Sequence, residues 1–441
     1  MNKGNEKPYE GLFMTVKRNW FLVAREVLVK LLDSKWAWYL IGFSFIFSLF
    51  TIVLIRDGIH LNVKDLGPGL YGAVKAFHGE SPYENPWEPQ RTMYRCMPPL
   101  ALIHRAILFK SKMVGPFHFE HYRPSVLAWY IIELVALILI GVLALKIVPG
   151  EQSKTSNRNL KLAFILAMPL MLYEVCNGQN KVVALCFLMI SLFLFERNRL
   201  FWSGFFFNWA LVMYIPLVFF MIYFLIRSKM RYLFHFVLTG VIVLIVLPSL
   251  AWGFKHNLFL LKEWFVSCIK PFAVTNSYAT YVDLRRTSQS LPSAIARLFV
   301  TGSRQQPVFH ISPVLLNIII KSLSFTIVFV SAFVVFRRSS STLRGLQYSI
   351  LFVPALLLPQ YTLYYTWAFL FVMYFAIFNF MSFRETPTVG KKALFLVTFL
   401  FVLGTCLSGF TAFQRLSVLF LPTILYWLVL VWICLRHRQT S

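Results

Sequence analysis

Charge is scarce in this chain. Asp, Glu, Lys and Arg make up only 14% of its 441 residues, and they divide as 17 acidic against 43 basic, a formal net charge of +26. Such an excess invites nucleic acid, yet no RNA- or DNA-binding motif accompanies it. The basic residues are scattered among short links between apolar runs, and membrane topology and anionic lipid account for them better. Cysteine is also scarce: six residues, none at metal-ligand spacing. Cys96 and Cys268 fall in the two longest polar segments and would pair only if those segments meet; two separate thiols are the plainer expectation. No Gly-x-Gly-x-x-Gly is present, so no Rossmann-type nucleotide loop is expected. No Asn-x-Ser/Thr sequon occurs, so nothing marks the loops as lumenal in a eukaryote, which points towards a bacterial plasma membrane. Neither a soluble domain nor a short repeat is legible.

Apolar residues fill the space that charge leaves. They make up 58% of the chain, aromatics 17%, and the mean hydropathy is +0.66. Globular domains sit nearer ~45–50% apolar, so a soluble fold has no interior large enough for this excess. Crossing a hydrocarbon core takes roughly 20 apolar residues. Runs occur at about 36–55, 125–148, 160–176, 181–195, 200–213, 214–226, 233–252, 314–336, 345–359, 363–382, 394–413 and 416–435. The links at Lys154, Arg158 and Lys161; Arg197 and Arg199; Arg227, Lys229 and Arg231; Arg337, Arg338 and Arg344; and Arg384, Lys391 and Lys392 are all basic, as is the end at Arg436 and Arg438. The intervening short links, such as 177–180 and 360–361, are nearly uncharged. The positive-inside rule then predicts an all-α polytopic protein of about 12 transmembrane helices with both termini cytoplasmic. Residues 1–35 read as a cytoplasmic segment rather than a cleavable signal peptide. Its amphipathic run places Lys17, Arg18, Arg25 and Lys30 near lipid phosphates, or simply supplies positive charge ahead of the first span. Residues 36–441 form a single transmembrane domain.

Two long segments, about 56–124 and 253–313, fall on the outer face in this scheme. They are rich in aromatics, Pro and Arg/Lys rather than Gly/Ser, so they read as folded, with helices lying along the surface. The first contains KDLGPGLYGAVKAFHGESPYENP, Lys64 to Pro86. Here Gly67, Pro68 and Gly69 read as a turn, 70–77 as a helix, Gly79 as its terminator and Pro82 as fixing the exit. Asp65 is an acid among few. Partly desolvated at a membrane surface it would suit proton abstraction near neutral pH; equally, it would cap the helix. Asp57 is the alternative base, although an ion pair with Arg56 is its plainer role. Glu133 and Glu174 lie inside apolar runs, where an ionisable side chain is costly and marks a cavity wall or a partner. His118, Glu120 and His121 form FHFEHY, whose spacing matches no metal motif, and no metal is expected.

Several stretches, taken in order, resemble a known family. Asp65, then Tyr71, Ala73, Gly79, Pro82-Tyr83 and Met97-Pro98-Pro99-Leu100-Ala101-Leu102 resemble the first loop of glycosyltransferase family 87. Gly178-Gln179-Asn180 is similar to the family's Gly-Gln-Asn at an outer span end. Gly204 and Pro216 fall in its next hairpin, and Gln289-Ser290-Leu291 is similar to its Asn-Gln-Ser-Leu. The resemblance implies a GT-C-like membrane enzyme taking a sugar, mannose by family habit, from a polyprenyl-phosphate donor to a glycan or glycolipid acceptor. The site would face outwards, with membrane lipids as surroundings. No cofactor is implied, and a divalent cation stays open. Asp65 would be the base of an inverting displacement, by analogy with glycosidase carboxylates. Arg285, Arg286 and Gln289 would hold the donor phosphate, with Lys64, Arg91 and Arg95 behind them. Tyr71, Gly79, Tyr83, Tyr94, Gln179, Asn180, Tyr364 and Tyr365 would line the substrate path, and Trp87 would stack on sugar beside Tyr83 and Tyr94. The family's usual His pair is replaced by Tyr364 and Tyr365, and the Lys often found before the Pro216 position by Met213-Tyr214. The alternatives are a polytopic transporter or flippase, a GPI-type mannosyltransferase lacking the usual Asp-x-Asp near Asp65, and an inactive relative.

Overall fold

The computed structural model describes residues 26–27, 29–57, 66–83, 97–108, 112–113, 119–120, 123–150, 152–270, 288–299, 311–337, 342–359, 364–383, 388–407 and 419–436. The expected amphipathic run before residue 26 lies outside them. The described chain is helical apart from one two-residue antiparallel pairing, Lys112↔Glu120 and Met113↔Phe119. In order come α1 (Trp36–Asp57), α2 (Leu66–Phe77), α3 (Leu100–Ile107), α4 (Arg123–Ile147), α5 (Ser153–Cys176), α6 (Lys181–Glu196) and α7 (Leu200–Met213). A 3-10 turn (Ile215–Phe219) leads into α8 (Phe220–Val241), α9 (Leu247–Trp252) and α10 (Phe254–Trp264). The last are α11 (Leu291–Phe299), α12 (Pro313–Arg337), α13 (Arg344–Leu357), α14 (Leu370–Ser382), α15 (Thr388–Leu407) and α16 (Phe420–Arg436).

Among the described residues five helical stretches are long and apolar enough to cross a membrane: Pro124–Ile147, Ser153–Cys176, Met230–Trp252, Pro313–Arg337 and Thr388–Leu407. Shorter apolar helices, among them Leu200–Met213 and Phe420–Arg436, complete the bundle. Their burial divides them. α13 is buried from Gly345 to Leu357 and α14 nearly throughout, so these two are the centre. The flanking helices turn large apolar side chains outward, including Ile138, Phe325, Phe329, Phe336 and Phe395. Water does not tolerate an apolar face of this extent on a monomer, whereas hydrocarbon does.

The helix from Phe220 runs past Arg227–Arg231 to Val241, but it is sharply bent at that basic stretch. Rings of Phe224 and Tyr232 stack with centroids 4.4 Å apart, and Phe207 touches both Phe224 (4.9 Å) and Phe236 (5.7 Å). Eight residues of straight helix would span about 12 Å. The apolar runs 214–226 and 233–252 are therefore not collinear, with the basic Arg227 and Arg231 at the bend between them. At this end the polar groups close on one another. Arg344 pairs with Glu196 (2.9 Å), whose Oε1 also accepts from the Tyr223 (2.6 Å) and Tyr348 (3.2 Å) hydroxyls. Arg227 donates to Gln347 (3.2 Å), Asn159 to Asn379 and Ser382 (2.9 Å each), and Lys161 to the carbonyls of Leu32 (2.7 Å) and Ser34 (2.8 Å). This is the basic end. The opposite, loop end carries the two long segments.

Candidate active site at the loop end

The first long segment supplies α2 and α3, packed together. Gly67, Pro68 and Gly69, expected as a turn, instead form the first turn of α2, where proline's missing N–H has no helical partner to lose. Gly69 is required by proximity. A Cβ there would lie 2.4–2.9 Å from three ring atoms of His104 on α3. The buried His104 ring hydrogen-bonds the Gly69 backbone, and its Nδ1 is left without a partner. Burial holds this imidazole at about 4, below its ordinary 6.5, and the Gly69 bond offsets only part of that effect; His104 is neutral near pH 7. Gly79, at φ +80°, follows the end of α2 as expected. Tyr71 is buried with Lys75 Nζ 5.8 Å from its ring centroid, and Lys75 pairs with Glu80.

The second long segment folds onto the first. His256 Nε2 meets the Ala76 carbonyl at 2.9 Å, and Phe77 stands edge-on to Trp252 at 5.2 Å. Ala73, Ala76, Ala101 and Leu260 make a small apolar core between them. Tyr83, expected to stack on sugar, is buried against Cys268 and Trp264; Cys96 lies outside the described residues. Further on, Gln289 is buried, and its Oε1 accepts the Leu419 N–H at 3.3 Å, tying this segment to the start of α16. The Ser288 and Ser290 hydroxyls both donate to Ser293 Oγ (2.9 Å), which fixes the start of α11.

The Gly-Gln-Asn turn between α5 and α6 is locked from both sides. Gly178 takes φ +62°, a conformation costly for other L-residues, and donates its N–H to Val175 (2.9 Å). Glu174 Oε1 accepts the N–H groups of Lys181 (2.7 Å) and Val182 (3.3 Å), so an acid from α5 caps the positive N-terminus of α6. Lys181 Nζ in turn donates to Gln179. Gln179 and Asn180 are both buried. Beside this turn stands Glu133 of α4, with Trp129 one helical turn before it and Glu174 and Lys181 as charged neighbours. Trp129 stands edge-on to His104, centroids 5.5 Å apart. One continuous track therefore runs from Gly69 through His104, Trp129 and Glu133 to the turn.

Of the residues expected at the site, Gly79, Tyr71 and Tyr83 belong to the α2 layer, Gln179 and Asn180 to the turn, and Gln289 to the join with α16. Asp65, Arg285, Arg286 and Tyr94 lie outside the described residues, as do His118 and His121. Asp65 immediately precedes Leu66, which opens α2 and is buried. Tyr364 and Tyr365 open a 3-10 helix (Tyr364–Phe369) packed on α5 and α6, and the description covers only their backbone. His104 and Trp129 were missed in the sequence. The signals were a histidine two residues after the Met-Pro-Pro-Leu-Ala-Leu run and an indole four residues before an intramembrane acid. Among the described residues no group of three His, Cys, Asp or Glu is placed to hold a metal.

No curated protein and no solved structure matches the chain. A family model does match, over residues 112–349, which takes in α4 to the start of α13, including the Gly-Gln-Asn turn and the Gln-Ser-Leu stretch. With more than half of its length aligned to that model, the chain belongs to glycosyltransferase family 87.

Proposed function

We propose that this membrane glycosyltransferase takes a sugar, mannose by family habit, from a polyprenyl-phosphate donor and passes it to a glycan or glycolipid acceptor at the outer face of the plasma membrane. The architecture in view is about 12 spans with both termini inside, which puts the loop end outside. The observation that carries the reading is the meeting of the two long segments with the Gly-Gln-Asn turn at one end of the bundle. A lipid-borne donor would reach that junction from the bilayer.

The chemistry is an inverting displacement. Asp65 takes the proton of an acceptor hydroxyl, whose oxygen forms the new bond to the anomeric carbon. The bond from that carbon to the phosphate oxygen breaks, and its electron pair leaves with polyprenyl phosphate. Arg285 and Arg286 would neutralise the leaving phosphate through charge-assisted hydrogen bonds. Gln289, with its carbonyl oxygen engaged by Leu419, would act on the donor through the position of the loop rather than through that oxygen.

The test is transfer from labelled polyprenyl-phosphate mannose by membranes holding the wild type or Asp65→Asn. Loss of a positioned base costs on the order of 10²–10⁴ in rate. Equal rates would remove Asp65 from its role. No transfer from any lipid-linked sugar would instead favour transport or an inactive relative. A charge swap at Arg285 and Arg286 that leaves donor affinity unchanged would dismiss the phosphate site.

A further inference from the structure

Among the described residues the two buried carboxylates are Glu133 and Glu174. Glu174 is engaged at the α6 N-terminus. The indole Nε1–H of Trp129 interacts with the neighbouring Glu133 carboxylate, yet neither it nor either Glu133 oxygen reaches full hydrogen-bond geometry. His104 Nδ1, across the ring contact from Trp129, is the third such group. Native interiors leave few polar groups in this state, because each costs about 1–3 kcal/mol. Here three side chains in contact sequence carry four atoms short of a full hydrogen bond.

The chemistry of the set selects its ligand. Glu133 accepts, Trp129 donates, and the neutral His104, its ring tied to the Gly69 backbone, offers Nδ1 as an acceptor. An anion would meet two acids, Glu133 and Glu174, against the single Lys181. A metal ion would face an indole N–H, which cannot ligate. An alcohol fits: a hydroxyl can donate to Glu133 while accepting from Trp129, and a neighbouring hydroxyl can donate to His104. We propose that Glu133, Trp129 and His104 form a subsite for the hydroxyl groups of a saccharide, closed in this structure by the packing of the helices around it, α3 among them through His104. The glycosyl-transfer reading supplies only the choice of saccharide as the polyol. No solvent reaches Glu133 or Trp129 as the helices stand, so binding requires the helices around them to part, and the incomplete polar groups between them make the closed arrangement the less stable for it.

The experiment uses the full chain in lipid nanodiscs and tritiated octyl α-mannoside, a sugar on a short alkyl anchor, with octanol as the sugar-free competitor. The wild type binds the mannoside in preference to octanol. Glu133→Gln and Trp129→Phe each weaken it about tenfold, the loss expected for one hydrogen bond to a charged or buried partner, and both unfold at the wild-type temperature or above. Displacement of the mannoside by unlabelled polyprenyl-phosphate mannose assigns the subsite to the donor sugar; coexistence of the two assigns it to the acceptor. The proposal is overturned by a wild type indifferent to the sugar, by variants that bind as the wild type does, or by variants that unfold early, which would make the trio structural. Failure of polyprenyl-phosphate mannose to serve as a substrate would count against the donor reading and leave these binding outcomes intact.

Discussion

Replacing Gly69 by alanine sets two effects of opposite sign against each other. Alanine is favoured over glycine inside a helix by up to ~1 kcal/mol. The new Cβ, however, would stand 2.4, 2.7 and 2.9 Å from Cε1, Nδ1 and Nε2 of His104, where carbon contacts settle at about 3.5–4.0 Å. His104 has nowhere to retreat, because its ring is buried and its far side meets Trp129. So α2 must shift by about 1 Å relative to α3. Overpacking costs ~1–3 kcal/mol, and a clash with a trapped ring belongs at the upper end. The net expectation is a loss of about 2 kcal/mol. With His104→Ala in the background the obstacle is gone, and the same substitution should stabilise by up to ~1 kcal/mol. Thermal unfolding of all four proteins in nanodiscs measures the cycle, whose coupling should be about 3 kcal/mol. Transfer activity supplies a second readout, since a ~1 Å displacement near a reacting group costs on the order of a hundredfold. A Gly69→Ala change of the same sign in both backgrounds would refute the reasoning.

Glu196→Ala removes the acceptor shared by Tyr223, Tyr348 and Arg344, and should cost about 2–4 kcal/mol in thermal unfolding, with Glu196→Gln losing less because one oxygen still accepts. Gly178→Ala forces an L side chain into the left-handed region; it should destabilise by ~1–2 kcal/mol and raise KM by loosening the turn. His104 makes stability depend on pH. Its folded value of about 4 lies below its ordinary 6.5, so folding favours the neutral form. Its contribution is complete above pH 6.5 and is lost as pH falls towards 4, on the order of 3 kcal/mol in all. Unfolding curves across that window should slope less for His104→Ala than for the wild type, and parallel slopes would exclude the assignment.

What the sequence disclosed and what it withheld follow from the range of the forces involved. Helices were legible because a residue's preference for hydrocarbon is local: the runs at 125–148, 200–213 and 314–336 recur within a few residues as α4, α7 and α12. The basic stretch at Arg227–Arg231, read as a link between two runs, is instead carried inside one bent helix. Gly67-Pro68-Gly69 misled because the pattern of a turn is also tolerated in a helix's first turn, and only His104, 35 positions further on, explains the third residue. Gln289 matched a family motif, but its partner is a backbone N–H 130 residues away. Pairings over such distances leave no local mark in composition or spacing.

The two ends of the bundle differ in how their described carboxylates are paired. At the basic end each described carboxylate of the helix junctions has its cation: Asp33 with Lys154 at 3.4 Å, Glu196 with Arg344 at 2.9 Å. The Tyr223 and Tyr348 hydroxyls add to Glu196, and Asn159 donates to Asn379 and Ser382, bonds that fix helix ends against one another. At the loop end the turn is equally well closed, but Glu133 beside it is not. A purely structural acid in that position would be easily replaced by an apolar residue, which removes the desolvation cost without losing a bond. Its charged neighbours are Glu174, two residues before the end of α5, and Lys181, the first residue of α6, which tie it to the loop end. A carboxylate there, short of hydrogen-bond partners within its own protein, is completed most simply by a ligand that reaches this end of the bundle.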